Sequence, residues 1–185
     1  SSRYDAKLGW SGKPNLNIKG IFLDDPNIPD YSDLIITTNA GGFRSTGQLP
    51  DATPKQQLII TIGDSFTWGA EVNDLETYPA RLQDILQVPV TNASYGGWGT
   101  DQMWLRLQDV ATSENPSLII LSPLSNDVLR NAFRRYGRAF KPYFELVNGA
   151  LMLRNTPVPR NSSHSEDVGV LQSWFRMREP RLQSR

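Results

Sequence analysis

Residues 58–65 read LIITIGDS, a short run of mostly β-branched apolar side chains that ends in Gly-Asp-Ser. Such a run, bounded by a glycine, is typical of a strand that is covered on both faces of a parallel sheet. Two shorter apolar runs follow, at residues 88–90 and at residues 118–121 (LIIL). Between them, residues 77–86 and 100–111 have helical periodicity. This alternation predicts an α/β fold with a parallel sheet and right-handed crossovers.

The two predicted helices each carry apolar residues at helical spacing, and we expect these residues to face the sheet. In the first helix they are Tyr78, Leu82, Ile85 and Leu86. In the second they are Met103, Leu105, Leu107 and Val110, with Trp104 also expected in the core. The run at 118–121 is predicted to be a third buried strand.

The flanking regions differ from this core, although one domain of 185 residues accounts for the whole chain. Residues 1–57 are polar and broken by proline and glycine, so we interpret them as an irregular extension with one strand near residues 33–38. Residues 58–131 form the core that carries the motifs. Residues 132–185 are predicted to contain a hairpin insertion around Asn148-Gly149 and then a polar tail with a short helix near residues 170–177.

Composition excludes several classes of function. The chain has 19 basic and 19 acidic side chains, no cysteine and one histidine. Disulfides, thiolate zinc sites and histidine-rich metal sites are therefore excluded, and we expect neither a metal nor another cofactor. A balanced charge argues against nucleic-acid binding. No apolar run approaches the roughly 20 residues that a membrane span needs.

Polar or glycine-rich segments follow each predicted strand. Ser65 comes just after the first strand, three glycines lie within residues 92–99, and an Asn-Asp pair lies within residues 122–127. Each segment alone has an ordinary structural interpretation as a turn or a helix cap. Because the carboxyl ends of parallel strands meet at one edge, a hydroxyl, a glycine N–H and an amide are expected to converge there. Acyl transfer needs that combination.

The same segments resemble a known family. Residues 63–65, residues 92–97 and Asn126-Asp127 are similar, in order and spacing, to the first three motif blocks of the GDSL or SGNH hydrolases. That resemblance implies serine esterase or lipase activity on a flavodoxin-like three-layer α/β/α fold. Residues 4–10 and 39–44 also resemble the leader of bacterial members, which favours a periplasmic or secreted setting.

Carried over by position, the resemblance implies a role for each motif residue. Ser65 is the nucleophile and first oxyanion donor, Gly97 the second donor and Asn126 the third. Asp64 and Asp127 support them. Two aromatic residues in the motif loops, Trp68 and Trp98, are candidates to line the substrate pocket.

The sequence also departs from the family pattern. Leu124 stands where the third block usually begins with glycine. The Asp-x-x-His block that supplies the general base is missing, and residues 161–164 keep only its spacing, with Asn in place of Asp. We interpret His164 as a solvated loop residue and keep it as the alternative base. The sheet also lacks strands, so we expect the chain to be the amino-terminal part of a longer one. A second chain or fragment carrying Asp-x-x-His is the other possible source of the base.

The sequence thus predicts a serine hydrolase that cleaves carboxylic esters through an acyl-enzyme. The expected substrate is an acetyl or short acyl ester, on a small alcohol or a carbohydrate. Two alternatives stay open: a non-catalytic module that binds acylated glycans, and an O-acyltransferase of cell-envelope polysaccharide.

Overall fold

The computed structural model describes residues 2–21, 31–49 and 57–160. The strands are β1 (Ser2–Asp5), β2 (Gly9–Gly12), β3 (Asn17–Ile21), β4 (Tyr31–Thr37), β5 (Ile59–Gly63), β6 (Val90–Asn92), β7 (Leu118–Ser122), β8 (Arg135–Tyr136), β9 (Ala139–Phe140), β10 (Tyr143–Val147) and β11 (Ala150–Arg154). The helices are α1 (Ser65–Trp68), α2 (Tyr78–Leu86), α3 (Thr100–Glu114) and α4 (Ser125–Arg130), with a 3₁₀ turn at Asp74–Glu76.

The centre of the fold is a parallel three-stranded sheet in the order β6-β5-β7. Ile59 pairs with Val90 on one side and with Leu118 on the other, so the three strands end at the same edge. All five residues of β5 are buried. The prediction of a mixed α/β fold with a parallel sheet is therefore confirmed.

The third strand does not match its predicted burial. Leu118 is 51% exposed and Leu121 is 46% exposed. Within the described residues β7 is an edge strand, because it pairs only with β5. An apolar run indicates that a strand can be covered on both faces, but it does not say what covers it.

The predicted packing face of the first helix is wrong. The α2 residues that are buried are Pro79, Ala80 and Gln83, whereas Ile85 is 76% exposed. Gln83 is buried because its side-chain oxygen accepts from the Val90 N–H at 3.0 Å and its amide donates to nearby carbonyls. Polar side chains that satisfy buried backbone groups thus determine which face of α2 packs inward.

Helix α3 packs near β5 and buries Met103, Leu105 and Val110, as predicted from their spacing, while Leu107 is partly buried against the same core. Trp104 was expected in the core, but this expectation is wrong, because the residue is 49% exposed. None of the helices in the described ranges is long and apolar enough to cross a membrane.

The amino-terminal region is more regular than expected. The strand predicted near residues 33–38 is β4, but the rest of the region is not irregular: β1 pairs with β2 and β3 pairs with β4, both antiparallel. Leu8, Trp10 and Ile36 from this region share one hydrophobic cluster with residues of the central sheet, including Ile60. The region is therefore part of the same core.

The predicted hairpin is confirmed. Strands β10 and β11 pair antiparallel, and both turn residues have positive φ, 51° at Asn148 and 80° at Gly149. A shorter hairpin, β8–β9, comes before it. The tail helix predicted near residues 170–177 lies outside the described residues.

Candidate active site

Strand β5 leads directly into α1 through Gly63. A Cβ at this position would lie 2.1 Å from Thr67 Oγ1 and 3.0 Å from the Ser122 carbonyl oxygen, so only glycine fits between them. Asp64 is the N-cap of α1, and its Oδ1 accepts from the Phe66 N–H at 2.9 Å. Ser65 thus becomes the first residue of a helix at the carboxyl end of the central strand.

The Ser65 hydroxyl is buried and unsatisfied. The residue is 3% exposed, and Oγ has no hydrogen-bond partner among the described residues. Thr61 Oγ1 within β5 is likewise buried and has no partner among the described residues, so what distinguishes Ser65 is its place beyond the carboxyl end of the strand. A Cβ on Gly96 would lie 3.6 Å from the Ser65 Cβ, which puts the glycine loop after β6 directly beside Ser65.

The glycine loop is held from two sides. On the sheet side, Asn92 at the end of β6 donates from Nδ2 to the Thr67 carbonyl at 2.8 Å, which ties the loop to α1. On the amino-terminal side, Trp10 Nε1 donates to the Gly96 carbonyl at 2.9 Å, and Trp98 Nε1 donates to the Trp10 carbonyl at 3.1 Å. The residues that resemble a leader thus brace the loop.

Gly97 needs to be glycine for two reasons. Its φ of +78° lies in the left-handed region, which side chains with a Cβ rarely adopt. A Cβ there would also lie 2.7 Å from Cε1 of Tyr136, whose ring covers this part of the loop. Tyr136 is in turn stacked on Trp10, with ring centroids 6.1 Å apart.

The third segment begins at Leu124, which is the N-cap of α4. Its φ of −96° is extended backbone that any residue adopts, so the leucine at this place introduces no strain. Its N–H donates to Asp127 Oδ2 at 2.7 Å. Asn126, the second residue of α4, is exposed, whereas Asp127 is buried.

Arg130 lies where these segments meet. Its NH1 donates to Asp127 Oδ1 and, at 2.9 Å, to the Trp98 carbonyl, and it lies 3.5 Å from Asp64 Oδ2. Burial raises the pKa of Asp127 to about 6. The Leu124 N–H and Arg130 oppose that increase, and the carboxylate of Asp64 adds to it.

A second buried arginine holds the far end of α1. Arg44 forms an ion pair with Asp74, with 2.6 Å between Nε and Oδ1, and donates to the carbonyls of Gly69 and Val72 at 2.9 and 2.8 Å. Burial lowers the pKa of Arg44, and Asp74 counteracts this. The turn after α1 is thereby fixed.

The structure brings together the backbone of the predicted segments. Ser65 adjoins the glycine loop, and Arg130 links Asp64, Asp127 and Trp98. The proposed lining by Trp68 and Trp98 needs correction: the two side chains are 1% and 0% exposed and belong to the core. They are buried because they pack with Tyr95, at centroid distances of 5.3 and 6.2 Å. His164 lies outside the described residues.

Sequence reasoning missed the roles of Arg130 and Trp10. The spacing of Asp127 and Arg130, three residues apart on one short helix, was the available signal for Arg130. No local pattern indicates that Trp10 reaches a loop 86 residues further along the chain.

Comparison with models of known protein families gives no match, and comparison with curated proteins gives no significant similarity. The class of protein therefore follows from fold and site alone. It is a mixed α/β protein whose central strand ends in a buried serine, with a glycine loop and a buried carboxylate–arginine cluster at the same sheet edge.

Proposed function

We propose that this chain is a serine hydrolase of the SGNH or GDSL type, with a flavodoxin-like α/β/α arrangement, that cleaves carboxylic esters. The observation that carries the proposal is the Ser65 hydroxyl, which is buried and unpaired among the described residues beside Gly96. A hydroxyl that only capped a helix would have its partner in the backbone. A nucleophile instead keeps its oxygen available for substrate and base.

In the proposed mechanism the Ser65 Oγ attacks the ester carbonyl carbon. The carbonyl oxygen becomes an oxyanion, which accepts hydrogen bonds from the N–H groups of Ser65 and Gly97 and from the Asn126 amide. The general base takes the Oγ proton and gives it to the leaving alcohol as the C–O bond breaks. The same base then deprotonates the water that attacks the acyl-enzyme and returns the proton to Oγ, so the carboxylic acid and free Ser65 are released. We propose acetyl or short acyl esters on an alcohol or carbohydrate as substrates.

Serine needs a base, because an unactivated hydroxyl is a poor nucleophile at neutral pH. Oγ has no hydrogen-bond partner in the described ranges, so we place the general base outside the described residues. We propose an imidazole, supplied by an Asp-x-x-His segment of a second chain or fragment, or by His164. The variant His164→Ala separates the two sources: loss of activity assigns the base to His164, and retained activity assigns it to the Asp-x-x-His segment.

A fluorophosphonate probe tests the proposal directly, because it forms a covalent bond only with an activated serine. We expect labelling of the intact protein, and loss of labelling in Ser65→Ala. Ser94→Ala is the matched control, since Ser94 is an equally buried serine whose Oγ donates to the Thr61 carbonyl at 3.4 Å. Labelling that persists in Ser65→Ala contradicts the assignment of the nucleophile.

The absence of a base beside Ser65 in the described residues favours one second candidate, a module that binds acylated glycans without cleaving them. An intact protein that binds an acetylated oligosaccharide but takes up no probe supports this candidate and rejects the hydrolase. Release of acetate from the same ligand supports the hydrolase. Transfer of the acetyl group to an added sugar instead identifies an O-acyltransferase.

A further inference from the structure

A single nitrogen of Arg130 contacts all three segments that carry the proposed catalytic groups. NH1 donates to the carbonyl of Trp98, the residue after Gly97, at 2.9 Å. It also donates to Asp127, the residue after Asn126, and lies 3.5 Å from Asp64, the residue before Ser65. Each of its three partners is therefore one residue away from a group proposed to act on the ester.

Burial makes this contact important for the energy of the site. The side chains of Asp64 and Asp127 are 1% and 0% exposed, and that of Arg130 is 12% exposed. Two buried carboxylates lose their hydration and repel each other, and an opposite charge that contacts both offsets this cost. The guanidinium supplies that charge, and so it holds the first and third segments at a fixed separation.

Arg130 is itself held in place from two directions. Its backbone carbonyl accepts from Lys141 Nζ at 3.3 Å, and its guanidinium lies 5.2 Å from the ring centroid of Tyr136. The Tyr136 ring covers Gly97. The arginine is therefore fixed by the polypeptide that follows α4, and it transmits that position to the glycine loop.

We propose that Arg130 is a positioning residue, which sets the relative positions of Ser65, Gly97 and Asn126. The inference rests on the proposed hydrolase function, in which an oxyanion donor displaced by about 1 Å costs up to about a hundredfold in rate. Arg130 acts through its neighbours and does not take part in the chemistry.

The test compares Arg130→Met, Arg130→Lys and the matched control Arg154→Met in the intact protein. Arg154 also forms an ion pair, but with Glu145 inside the exposed β10–β11 hairpin. The first readout is independent of activity: the amide NMR resonances of Ser65, Gly97 and Asn126. We expect Arg130→Met to shift all three and Arg154→Met to shift none. If none of the three resonances shifts in Arg130→Met, the inference is overturned, whatever the labelling and esterase measurements show.

The second readout is the rate of fluorophosphonate labelling and the split between kcat and KM for p-nitrophenyl acetate. We expect Arg130→Met to lower the labelling rate and kcat by about tenfold or more with little change in KM. Arg130→Lys should recover part of the loss, because it keeps the charge but has a shorter reach. Since it also keeps the buried carboxylates compensated, it remains informative if Arg130→Met does not fold.

The two proposals fail in different ways. If the wild-type protein shows neither labelling nor esterase activity, the hydrolase proposal is rejected. The resonance shifts still test whether Arg130 sets the positions of the three segments. Labelling and kcat that stay within about twofold of wild type in a folded Arg130→Lys and Arg130→Met reject the positioning role and leave the hydrolase intact.

Discussion

Gly97 has a left-handed backbone and lies close to the Tyr136 ring. Backbone strain and steric contact would therefore both destabilise a variant with a side chain at this position, and a control can separate the two effects. Replacement by alanine introduces strain at φ +78° and a contact with the Tyr136 ring. We expect Gly97→Ala to lower the free energy of unfolding by about 2–4 kcal/mol, of which about 1–2 kcal/mol is backbone strain. Urea unfolding measures the loss.

Gly149→Ala is the control for that variant. Gly149 has nearly the same φ, +80°, and nothing lies within 4 Å of the place that its Cβ would take. The decrease in the free energy of unfolding of Gly149→Ala should therefore equal the backbone strain alone. Equal losses in Gly97→Ala and Gly149→Ala would show that the Tyr136 ring yields freely and does not restrain the glycine loop.

The raised pKa of Asp127 predicts how the stability of the protein changes with pH. Its pKa is about 6 in the folded protein, against about 3.9 in an unfolded chain. Between these values the folded state binds more protons than the unfolded state, so stability decreases as pH rises from about 4 to about 6. The contribution lost is on the order of 3 kcal/mol.

Asp127→Asn removes this contribution because the amide does not titrate. We expect the stability of wild type relative to Asp127→Asn, from urea unfolding, to fall by that amount between pH 4 and pH 7. Val128→Ala, at an exposed neutral neighbour on α4, should show a difference from wild type that is independent of pH. A pH-independent difference for Asp127→Asn as well would mean that the folded protein does not raise this pKa.

At the scale of elements, a buried ion pair joins α3 to the chain between β9 and β10. Lys141 Nζ contacts Asp101 Oδ2 and donates to the Pro142 carbonyl at 3.0 Å, and the two charged side chains are 0% and 2% exposed. Burial raises the pKa of Asp101 and lowers that of Lys141, and their attraction opposes both changes. Each charge therefore depends on the other.

Lys141→Met leaves Asp101 buried without its partner, so we expect a loss of about 3–5 kcal/mol in the free energy of unfolding. Lys7→Met is the matched control, because the Lys7–Asp109 pair is 37% and 42% exposed and is expected to contribute at most about 1 kcal/mol. The double variant Lys141→Met/Asp101→Asn should recover part of the loss. Equal effects of Lys141→Met and Lys7→Met in urea unfolding would contradict this account.

The elements themselves were largely predictable, because strands, helices and the hairpin turn leave local patterns. Residues 58–62 and the pair Asn148-Gly149 each specify a structure within a few residues. Packing faces were less predictable. The inward face of α2 depends on Gln83, whose partners lie in β6 and near Thr46, and no periodicity encodes hydrogen bonds to distant backbone.

In the site, too, the features with a local sequence pattern were predictable and those that depend on distant contacts were not. Ser65 and the glycine loop could be placed at one edge because parallel strands share a direction. The cluster around Arg130 could not, since its contacts depend on how α4 packs against the loop that contains Trp98. The core positions of Trp68 and Trp98 were also beyond the sequence, because an aromatic residue in a loop fits a pocket wall or a core equally well.

At the scale of the whole molecule, the amino-terminal strands and the central sheet form one hydrophobic core. Trp10 links the two: it is 3% exposed, its Nε1 donates to the Gly96 carbonyl, and its own carbonyl accepts from Trp98. Leu34 and Ile36 of β4 lie in the same cluster as Ile60 and Ile62 of β5. We therefore expect the two regions to unfold in one cooperative step.

Trp10→Phe tests this coupling, because it removes the hydrogen bond to Gly96 and part of the buried ring. We expect a loss of about 1–3 kcal/mol, read from native-state hydrogen exchange as an equal decrease in protection for amides of β4 and of β5. Trp104→Phe, at a half-exposed tryptophan on α3, should change neither. A decrease confined to β4 would mean that the amino-terminal strands open alone, and the brace on the glycine loop would then be separable from the fold that carries Ser65.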